Sequence, residues 1–264
     1  MNTIGIDIGS LTTKAVILNG DAILASTIVN SDDEAELGAK ITLDKALEKA
    51  GIGPQEESYI VSTGVHGKEI SLSKKQKAIT TCMARGIHHV FPEVRMVIDM
   101  GAESSTVIKV NERGRVSDWA NQDKCAAGTG IFLQQMAKLM QMPIEKMSDI
   151  SFNSQSPADI TSTCAVFAES EVISSVHRDP PIPMEDIAAG IFSSVISRIM
   201  ALCKRVGIER EVAITGGVAL NKGLVNILEK ELGFRVMVPE APRTVAALGA
   251  AIIARENISK GMTR

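Results

Sequence analysis

Two stretches of similar pattern determine the fold: residues 4–18 read IGIDIGSLTTKAVIL, and residues 97–110 read VIDMGAESSTVIKV. Each is an apolar strand that ends in Asp-x-Gly, followed by a turn of small and hydroxyl residues and by a second apolar strand. Ala22–Val29 and Arg115–Ala120 add a third strand to each copy. This internal repeat of a strand–loop–strand unit predicts two similar lobes.

The rest of the chain is mostly helical by its apolar spacing. The predicted helices are Asp33–Lys49, Thr80–Phe91, Thr129–Leu139, Ile144–Ile150, a segment that starts near Cys164, Met184–Val206, Ala219–Leu232 and Val245–Glu256. Short strands are predicted at Tyr59–Thr63, Val212–Thr215 and Arg235–Val238. We therefore expect an α/β chain with an N-terminal lobe over residues 1–95, which the C-terminal helix could complete, and a second lobe over residues 96–264.

The composition restricts the classes of partner. The formal net charge is −3, so no basic surface indicates binding to nucleic acid or to an anionic membrane. The sequence contains no run of 18 apolar residues, and the first residues, MNTIGIDIG, begin a strand pattern instead of a secretory signal. We expect a cytoplasmic protein that does not enter a membrane.

The loop over residues 7–14, DIGSLTTK, has the chemistry of a phosphate-binding turn. Gly9 lets the backbone approach a ligand, the N–H and O–H groups after it can donate to phosphate oxygens, and Asp7 can hold a hydrated Mg²⁺. A polar hairpin turn without a ligand is the alternative. The second copy of the loop, and a Gly-Gly pair before a helix, favour a nucleotide. The candidate nucleotide-binding residues are Gly9, Ser10, Leu11, Thr12, Thr13, Lys14, Gly101, Ala102, Gly216 and Gly217.

The segments DIGSLTTK, DMGAES and ITGGVALN resemble the two phosphate loops and the adenosine motif of the actin, sugar-kinase and heat-shock-chaperone ATPase superfamily. The resemblance runs from residue 4 to about residue 254 and implies two ribonuclease-H-like lobes with ATP or ADP and Mg²⁺ between them. It also implies catalytic roles for Asp7 and Asp99, and Glu103 is a third candidate catalytic residue. In the narrower family that the segments at Cys125 and Cys164 indicate, many members read Asp-x-Gly-Gly-Gln-Asp in the second loop. Here Glu103 replaces the amide and Ser104 replaces the acid after it. We expect Glu103 to orient a water or to bind Mg²⁺ through water.

The chain has four cysteines, Cys82, Cys125, Cys164 and Cys203, and none forms a C-x-x-C pair. Cys82 and Cys203 lie among apolar residues of helical patterns, which predicts core positions. Cys125 and Cys164 precede helix-like runs, where free N–H groups stabilise a thiolate. The pattern leaves two interpretations open, buried apolar side chains or ligands of an iron–sulfur cluster. A [4Fe–4S] cluster needs four thiolates, so two chains would have to share it.

The segments CAAGTG, from Cys125, and CAVFAESEVIS, from Cys164, are similar to those of the activators of 2-hydroxyacyl-CoA dehydratases and of the ATPase subunits of benzoyl-CoA reductases. This resemblance implies a homodimer with one [4Fe–4S] cluster held by Cys125 and Cys164 of both subunits. It further implies ATP-driven electron transfer in anaerobic metabolism, from ferredoxin or flavodoxin to a partner iron–sulfur dehydratase or reductase.

Two other functions are alternatives to this one. A small-molecule kinase of the same superfamily would need a carboxylate base beside a substrate pocket, and no inserted specificity domain is evident. A nucleotide-switched structural protein of the actin type would need no cysteine ligands. Neither alternative accounts for the two cysteine segments. The sequence leaves open whether the chain pairs with a second copy of itself or with a sister subunit.

Overall fold

The strands form two sheets, and the chain divides into two units. The computed structural model describes residues 1–31, 34–53, 58–68, 70–122 and 129–261. Unit 1 comprises Met1–Val94, Val110–Ser117 and Pro239–Arg264, and unit 2 comprises Arg95–Lys109 and Asp118–Val238. Unit 1 thus includes the C-terminal segment, which the sequence allows as the completion of the N-terminal lobe, and also residues 110–117.

Unit 1 contains a five-stranded sheet with the order β3-β2-β1-β4-β5. Its strands are β1 (Asn2–Ile8), β2 (Thr12–Asn19), β3 (Ala22–Asn30), β4 (Ser58–Thr63) and β5 (Lys75–Gln76), and its helices are α1 (Ala35–Ala50), α2 (Ile79–Val90) and α8 (Val245–Gly261). The first three strands are antiparallel neighbours, whereas β4 runs parallel to β1 and β5 parallel to β4. The short strand β5 was not predicted.

The alternation of side chains along β1 decides which helix covers each face of this sheet. Ile4, Ile6 and Ile8 pack with Ala39, Leu43 and Ala46 of α1. On β2, Val16 and Leu18 pack instead with apolar residues of α8. Successive side chains of a strand point to opposite faces, so the sequence IGIDI places Asp7 on the face opposite to its isoleucines.

Helix α8 lies very close to the backbones of β1 and α2. A Cβ atom at Gly5 would lie 1.9 Å from the carbonyl oxygen of Ala247, and one at Gly249 would lie 1.7 Å from that of Cys82. Only residues without a side chain permit such approach, and the Ala-rich sequence of α8 provides a matching surface. This packing explains why the C-terminal helix belongs to unit 1.

Unit 2 contains a four-stranded sheet with the order β8-β7-β6-β9. Its elements are β6 (Met96–Met100), β7 (Ser105–Val110), β8 (Val116–Gln122), β9 (Val212–Thr215), α3 (Gly130–Leu139), α4 (Ile144–Ser151), α5 (Ala165–His177), α6 (Met184–Val206) and α7 (Lys222–Leu232). Strand β7 is antiparallel to β6, and β9 is parallel to it. The hairpin with an added parallel strand thus repeats the arrangement of unit 1.

Helix α6 forms the centre of the core of unit 2. Most of its side chains are buried, among them Phe192, Val195 and Ile199. Among the described helices, it alone is long and apolar enough to cross a membrane by length and composition. However, 78% of its most apolar stretch is buried inside the protein. Its apolar character is therefore explained by its central position in the core.

Two predicted elements near the C-terminus differ from the structure. The predicted helix Ala219–Leu232 is a 3₁₀ turn at Gly217–Leu220 followed by α7, because Asn221 is extended and its side chain accepts a hydrogen bond from the Leu224 N–H as an N-cap. The predicted strand Arg235–Val238 is reduced to an isolated bridge between Ala213 and Met237. Met237 bonds to β9 through its N–H, which donates to the Val212 carbonyl, and through its carbonyl, which accepts from the Ile214 N–H.

Asp186, in the first turn of α6, fixes the segment before α5. Its Oδ1 accepts hydrogen bonds from the Ser154 hydroxyl at 2.7 Å and from the N–H groups of Gln155 and Ser156 at 2.9 and 3.0 Å. The hydrogen bond from Ser154, with those from the two amides, lowers the pKa of the Asp186 carboxyl below its usual value. These bonds stabilise the ionised form.

We expect Asp186→Asn to lower the unfolding midpoint by about 2–4 °C at pH 7, a shift typical of one interaction in a chain of this size. An unfolded aspartate has a pKa of about 3.9, so the stabilisation is complete above that pH and is lost as the pH falls through the lower folded pKa. The difference between the two proteins should therefore narrow below about pH 4. Circular dichroism melts across pH 3–7 measure it, with Glu185→Gln as the control, and a pH-independent difference would contradict the assignment.

Candidate functional site

The first predicted phosphate loop is the turn between β1 and β2. The Gly9 N–H donates to the Thr12 carbonyl at 3.1 Å and closes the turn, which leaves Ser10 half-buried and Leu11 exposed. Asp7 and Lys14 are opposite one another in the antiparallel register. Their side chains form an ion pair at 3.1 Å between Lys14 Nζ and Asp7 Oδ2, with 13% and 7% of the side chains exposed.

Ser31, directly after β3, holds this turn from the side. Its hydroxyl donates to the Gly9 carbonyl at 2.6 Å and lies 3.1 Å from the Thr13 hydroxyl, and its N–H donates to the Leu11 carbonyl at 3.0 Å. Thr13 is therefore buried on the supporting side of the turn, and Thr12 and Lys14 occupy the alternate positions. Ser31 is not predicted from the sequence, because a serine at a strand end is its only signal.

On its other side β1 is paired with β4, and a glycine lies against the strand-end carboxylate. Asp7 is opposite Thr63 in the parallel register. Gly64 follows with a φ of 94°, and a Cβ atom there would lie 2.3 Å from the Ile8 carbonyl oxygen and 2.6 Å from Asp7 Oδ1. Only glycine adopts this conformation at this distance without strain. Asp7 Oδ1 is buried and has no hydrogen-bond partner among the described residues.

The second predicted loop, between β6 and β7, repeats this geometry in unit 2. Asp99 is opposite Thr215 of the parallel strand β9, and the Thr215 hydroxyl donates to Asp99 Oδ1 at 3.0 Å. Gly216 follows with a φ of 85°, and a Cβ atom there would lie 2.2 Å from the Met100 carbonyl oxygen and 3.1 Å from Asp99 Oδ1. Each unit thus contains an Asp–Thr–Gly cluster, defined as Asp7–Thr63–Gly64 in unit 1 and Asp99–Thr215–Gly216 in unit 2.

The two loops differ in the groups that surround their aspartates. The residue opposite Asp99 in the hairpin is Thr106, where the first loop has Lys14. The second loop is instead bound to the start of α3, because the N–H groups of Gly130 and Ile131 donate to the carbonyls of Gly101 and Ala102 at 2.9 and 3.0 Å.

Internal hydrogen bonds also limit what the second loop can offer to a ligand. The N–H of Gly101 donates to the Ser104 carbonyl at 2.9 Å, so this predicted phosphate donor is already engaged within the loop. Glu103, at the tip of the same turn, is exposed. The structure thus brings Asp99, Gly101, Ala102, Glu103 and Gly216 into one region of unit 2.

Gly216 and Gly217, at the start of the 3₁₀ turn, differ in how closely other residues pack against them. Gly216 is fixed against β6, whereas a Cβ atom at Gly217 would meet no atom of another element within 4 Å in the described part of the chain. Asn221, which ends the turn, is 9% exposed, and its Nδ2 has no hydrogen-bond partner among the described residues. Gly217 therefore has space for a side chain or a ligand, and Gly216 does not.

The described residues contain no group of three or more His, Cys, Asp or Glu side chains that could hold a metal ion alone. Mg²⁺ fits the strand-end aspartates nonetheless, since it keeps several waters and binds proteins through one or two carboxylates together with substrate phosphates. The unpartnered Oδ1 of Asp7 is an acceptor for such a water.

The cysteines differ strongly in their surroundings. Cys82 and Cys203 are fully buried, which confirms their predicted core positions, and burial raises the pKa of each thiol to about 12. Protonated buried thiols do not act as metal ligands. Cys164 is half-buried and is the N-cap residue of α5, with its carbonyl accepting from the Ala168 N–H. Cys125 falls within residues 123–128, outside the described residues.

The donor chemistry of Cys164 fits one thiolate ligand of an iron–sulfur cluster. It lies at the start of a 13-residue helix, where the free N–H groups favour negative charge. The described part of one chain supplies no further accessible thiol, because Cys82 and Cys203 are buried. A four-thiolate cluster at Cys164 would therefore need its other thiolates from outside the described residues of this chain.

Comparison with known proteins identifies close relatives. The chain is 42% identical over 255 residues to the 2-hydroxyisocaproyl-CoA dehydratase activator of Clostridioides difficile, which covers 96% of this chain and 95% of the relative. A solved structure of the activator of the 2-hydroxyisocaproyl-CoA dehydratase from Clostridium difficile with bound ADPNP has a TM-score of 0.92 at 39% identity. This match covers 100% of the present chain and 97% of that one.

More distant structures share the fold alone. A ROK family glucokinase from Streptomyces griseus has a TM-score of 0.56 at 14% identity, over 97% of this chain and 100% of its own. The predicted fold class, an α/β protein of the actin, sugar-kinase and heat-shock-chaperone ATPase superfamily, is confirmed. A family profile matches residues 4–254. The chain therefore belongs to the BadF/BadG/BcrA/BcrD ATPase family.

Proposed function

We propose that this protein is an ATP-dependent activator that delivers an electron to a partner dehydratase acting on 2-hydroxyacyl-CoA substrates. The observation that carries the nucleotide part is the repeated Asp–Thr–Gly cluster, in which a carboxylate at a strand end lies beside a polar hairpin turn in each unit. Relatives that activate such dehydratases, and the ADPNP bound in one of them, support the same assignment.

In this proposal the residues of the first loop bind the phosphates and the metal. Lys14 supplies a positive charge beside the turn, and Asp7 accepts from the waters of Mg²⁺. Thr13 and Ser31 keep the turn in shape without facing the nucleotide, because their hydroxyls are engaged with each other and with Gly9. Asp99 and the exposed Glu103 are proposed to position the attacking water from the second loop.

The proposed electron carrier is a [4Fe–4S] cluster held by Cys125 and Cys164 of two copies of the chain. Such a cluster, when bound, supplies one-electron transfer at low potential. Support for a covering second chain comes from α5, whose first turn exposes 65% of Val166 and 63% of Phe167 directly after Cys164. Large apolar side chains that are exposed beside a functional residue are typical of a protein contact.

The partner and the donor are assigned by resemblance to the family. We propose a 2-hydroxyacyl-CoA dehydratase as acceptor, with a benzoyl-CoA reductase as the alternative acceptor, and ferredoxin or flavodoxin as donor. The decisive experiment reconstitutes the protein with iron and sulfide under anaerobic conditions and mixes it with a purified dehydratase, a reduced donor and Mg-ATP. Dehydratase activation that requires ATP supports the proposal, whereas phosphorylation of a small hydroxyl compound would favour the kinase alternative.

We expect Asp7→Asn to lower Mg-ATP hydrolysis about 100-fold, because weaker binding of Mg²⁺ removes a cation that stabilises the negative charge of the transition state. The substitution keeps the shape of the side chain but removes the charge that Mg²⁺ and its waters require. Asp21→Asn is the matched control, because Asp21 is exposed and pairs with Arg255 away from the loop. Hydrolysis at the wild-type rate in Asp7→Asn would refute the proposed role of this carboxylate.

Gly216 and Gly217 should separate folding from nucleotide binding. We expect Gly216→Ala to destabilise the fold by about 3 kcal/mol or more, because its positive φ and the 2.2 Å approach to the Met100 carbonyl exclude a side chain. Gly217→Val should melt like the wild type, yet raise the Kd for ATP at least tenfold if the nucleotide lies over the turn. Thermal unfolding and calorimetry decide, and wild-type ATP affinity in Gly217→Val would contradict the proposed nucleotide position.

The cysteines make a third test. We expect the reconstituted wild type to contain about four irons for every two chains, as the [4Fe–4S] formula sets. Cys164→Ser removes two of four ligands from a shared cluster and should abolish iron binding in the whole dimer. Cys203→Ser should retain the iron, since burial keeps this thiol from any ligand role. Iron analysis with anaerobic size exclusion measures both, and a monomer that carries four irons would refute the shared cluster.

A further inference from the structure

The segment that leads into Cys164 is held by two charged side chains from different helices. Arg198, on α6, donates from Nε to the Ser162 carbonyl and from its terminal nitrogen Nη2 to the Thr163 carbonyl. Glu171, on α5, accepts from the Thr161 N–H at 2.6 Å. Arg198 therefore holds the end of this segment, directly before Cys164, and Glu171 holds its start at Thr161.

Arg198 is well placed to hold this segment rigidly. It is part of α6, the central helix of the unit 2 core, and its neighbours Ile196 and Ile199 are buried. The planar guanidinium presents its donors in a fixed fork, so two bonds to successive carbonyls determine the orientation of both peptides. The second of these carbonyls belongs to the peptide bond that joins Thr163 to Cys164.

The charge on Arg198 has a consequence beyond the geometry. A guanidinium stays protonated in proteins, so it brings a permanent positive charge to the peptide that precedes Cys164. Reduction of an iron–sulfur cluster adds one negative charge, and the reduction potential responds to net charge and to hydrogen bonds near the sulfurs. Glu171 carries the opposite charge, but it accepts its hydrogen bond from Thr161, three residues before the cysteine.

We propose that Arg198 is a positioning residue for Cys164, which orients the cysteine through the Thr163 peptide and raises the reduction potential of a cluster bound there. This inference rests on the proposed function in one respect, because a cluster at Cys164 is needed for the effect on potential. The positioning itself concerns the chain alone and can be measured in protein without iron.

The first experiment measures hydrogen exchange of the full-length protein without iron, followed by mass spectrometry of peptides that cover residues 161–168. We expect Arg198→Gln to speed exchange of this segment at least tenfold, with the rest of α5 unchanged. Arg205→Gln is the matched control, because it removes the same charge from an exposed position of α6. Wild-type exchange in Arg198→Gln would overturn the positioning role.

The second experiment is a redox titration of the iron-loaded protein, followed by electron paramagnetic resonance. Loss of the cation in Arg198→Gln should shift the one-electron equilibrium about tenfold towards the oxidised form, which corresponds to about 59 mV. Arg198→Lys keeps the charge but not the fork, so its potential should stay near that of the wild type while its segment exchanges faster. This variant also serves if Arg198→Gln fails to fold.

The outcomes separate this inference from the proposed function. A wild type that binds no iron would refute the cluster and, with it, the role of Arg198 in setting the potential. A loaded wild type whose potential equals that of Arg198→Gln would overturn the present inference and leave the proposed function intact. Arg198→Lys with wild-type exchange would show that charge alone holds the segment and would overturn the role of the fork.

Discussion

In each unit a glycine lies in close contact with the aspartate at the end of the first hairpin strand. The backbone of the neighbouring parallel strand turns away directly beside the carboxylate, and any side chain at Gly64 or Gly216 would overlap a carbonyl oxygen of the hairpin strand. This contact allows the turn after β4 to lie beside Asp7 and the turn after β9 to lie beside Asp99. The antiparallel register fixes each aspartate within its hairpin.

Within this shared arrangement, the two aspartates have different partners in the two units. Unit 1 pairs its aspartate with Lys14 and supports its turn with Ser31, so that a positive charge stays beside the loop. Unit 2 places a threonine hydroxyl on Asp99 and ties its loop to the first amides of α3. The first loop is thus suited to phosphate and metal, whereas the second is more closely coupled to a helix of its own unit.

Burial distinguishes the cysteines from one another. Cys82 and Cys203 lie in cores where a thiolate would be strongly disfavoured, and Cys164 lies at the surface on a segment that two charged side chains hold in place. Position in the fold therefore leaves a single described cysteine suited to bind a metal. The hydrogen bonds that Arg198 and Glu171 make with the backbone before Cys164 distinguish it from an ordinary exposed thiol.

Local sequence patterns predict the repeated hairpins, the loops at Asp7 and Asp99, nearly all helices and the core positions of Cys82 and Cys203. These features depend on periodicity and turn chemistry within a few residues, which a single sequence contains. The roles of Gly64, Ser31, Asn221 and Arg198 follow instead from tertiary contacts. Gly64 contacts Asp7 because β4 pairs with β1, and Ser31 contacts Gly9 because the β-meander brings the end of β3 beside the first loop. Asn221 divides a helix that apolar spacing alone would continue. Arg198 binds a segment more than thirty residues earlier in the chain. Contacts of that kind leave no local pattern, because they are set by how strands and helices pack and not by the residues beside them.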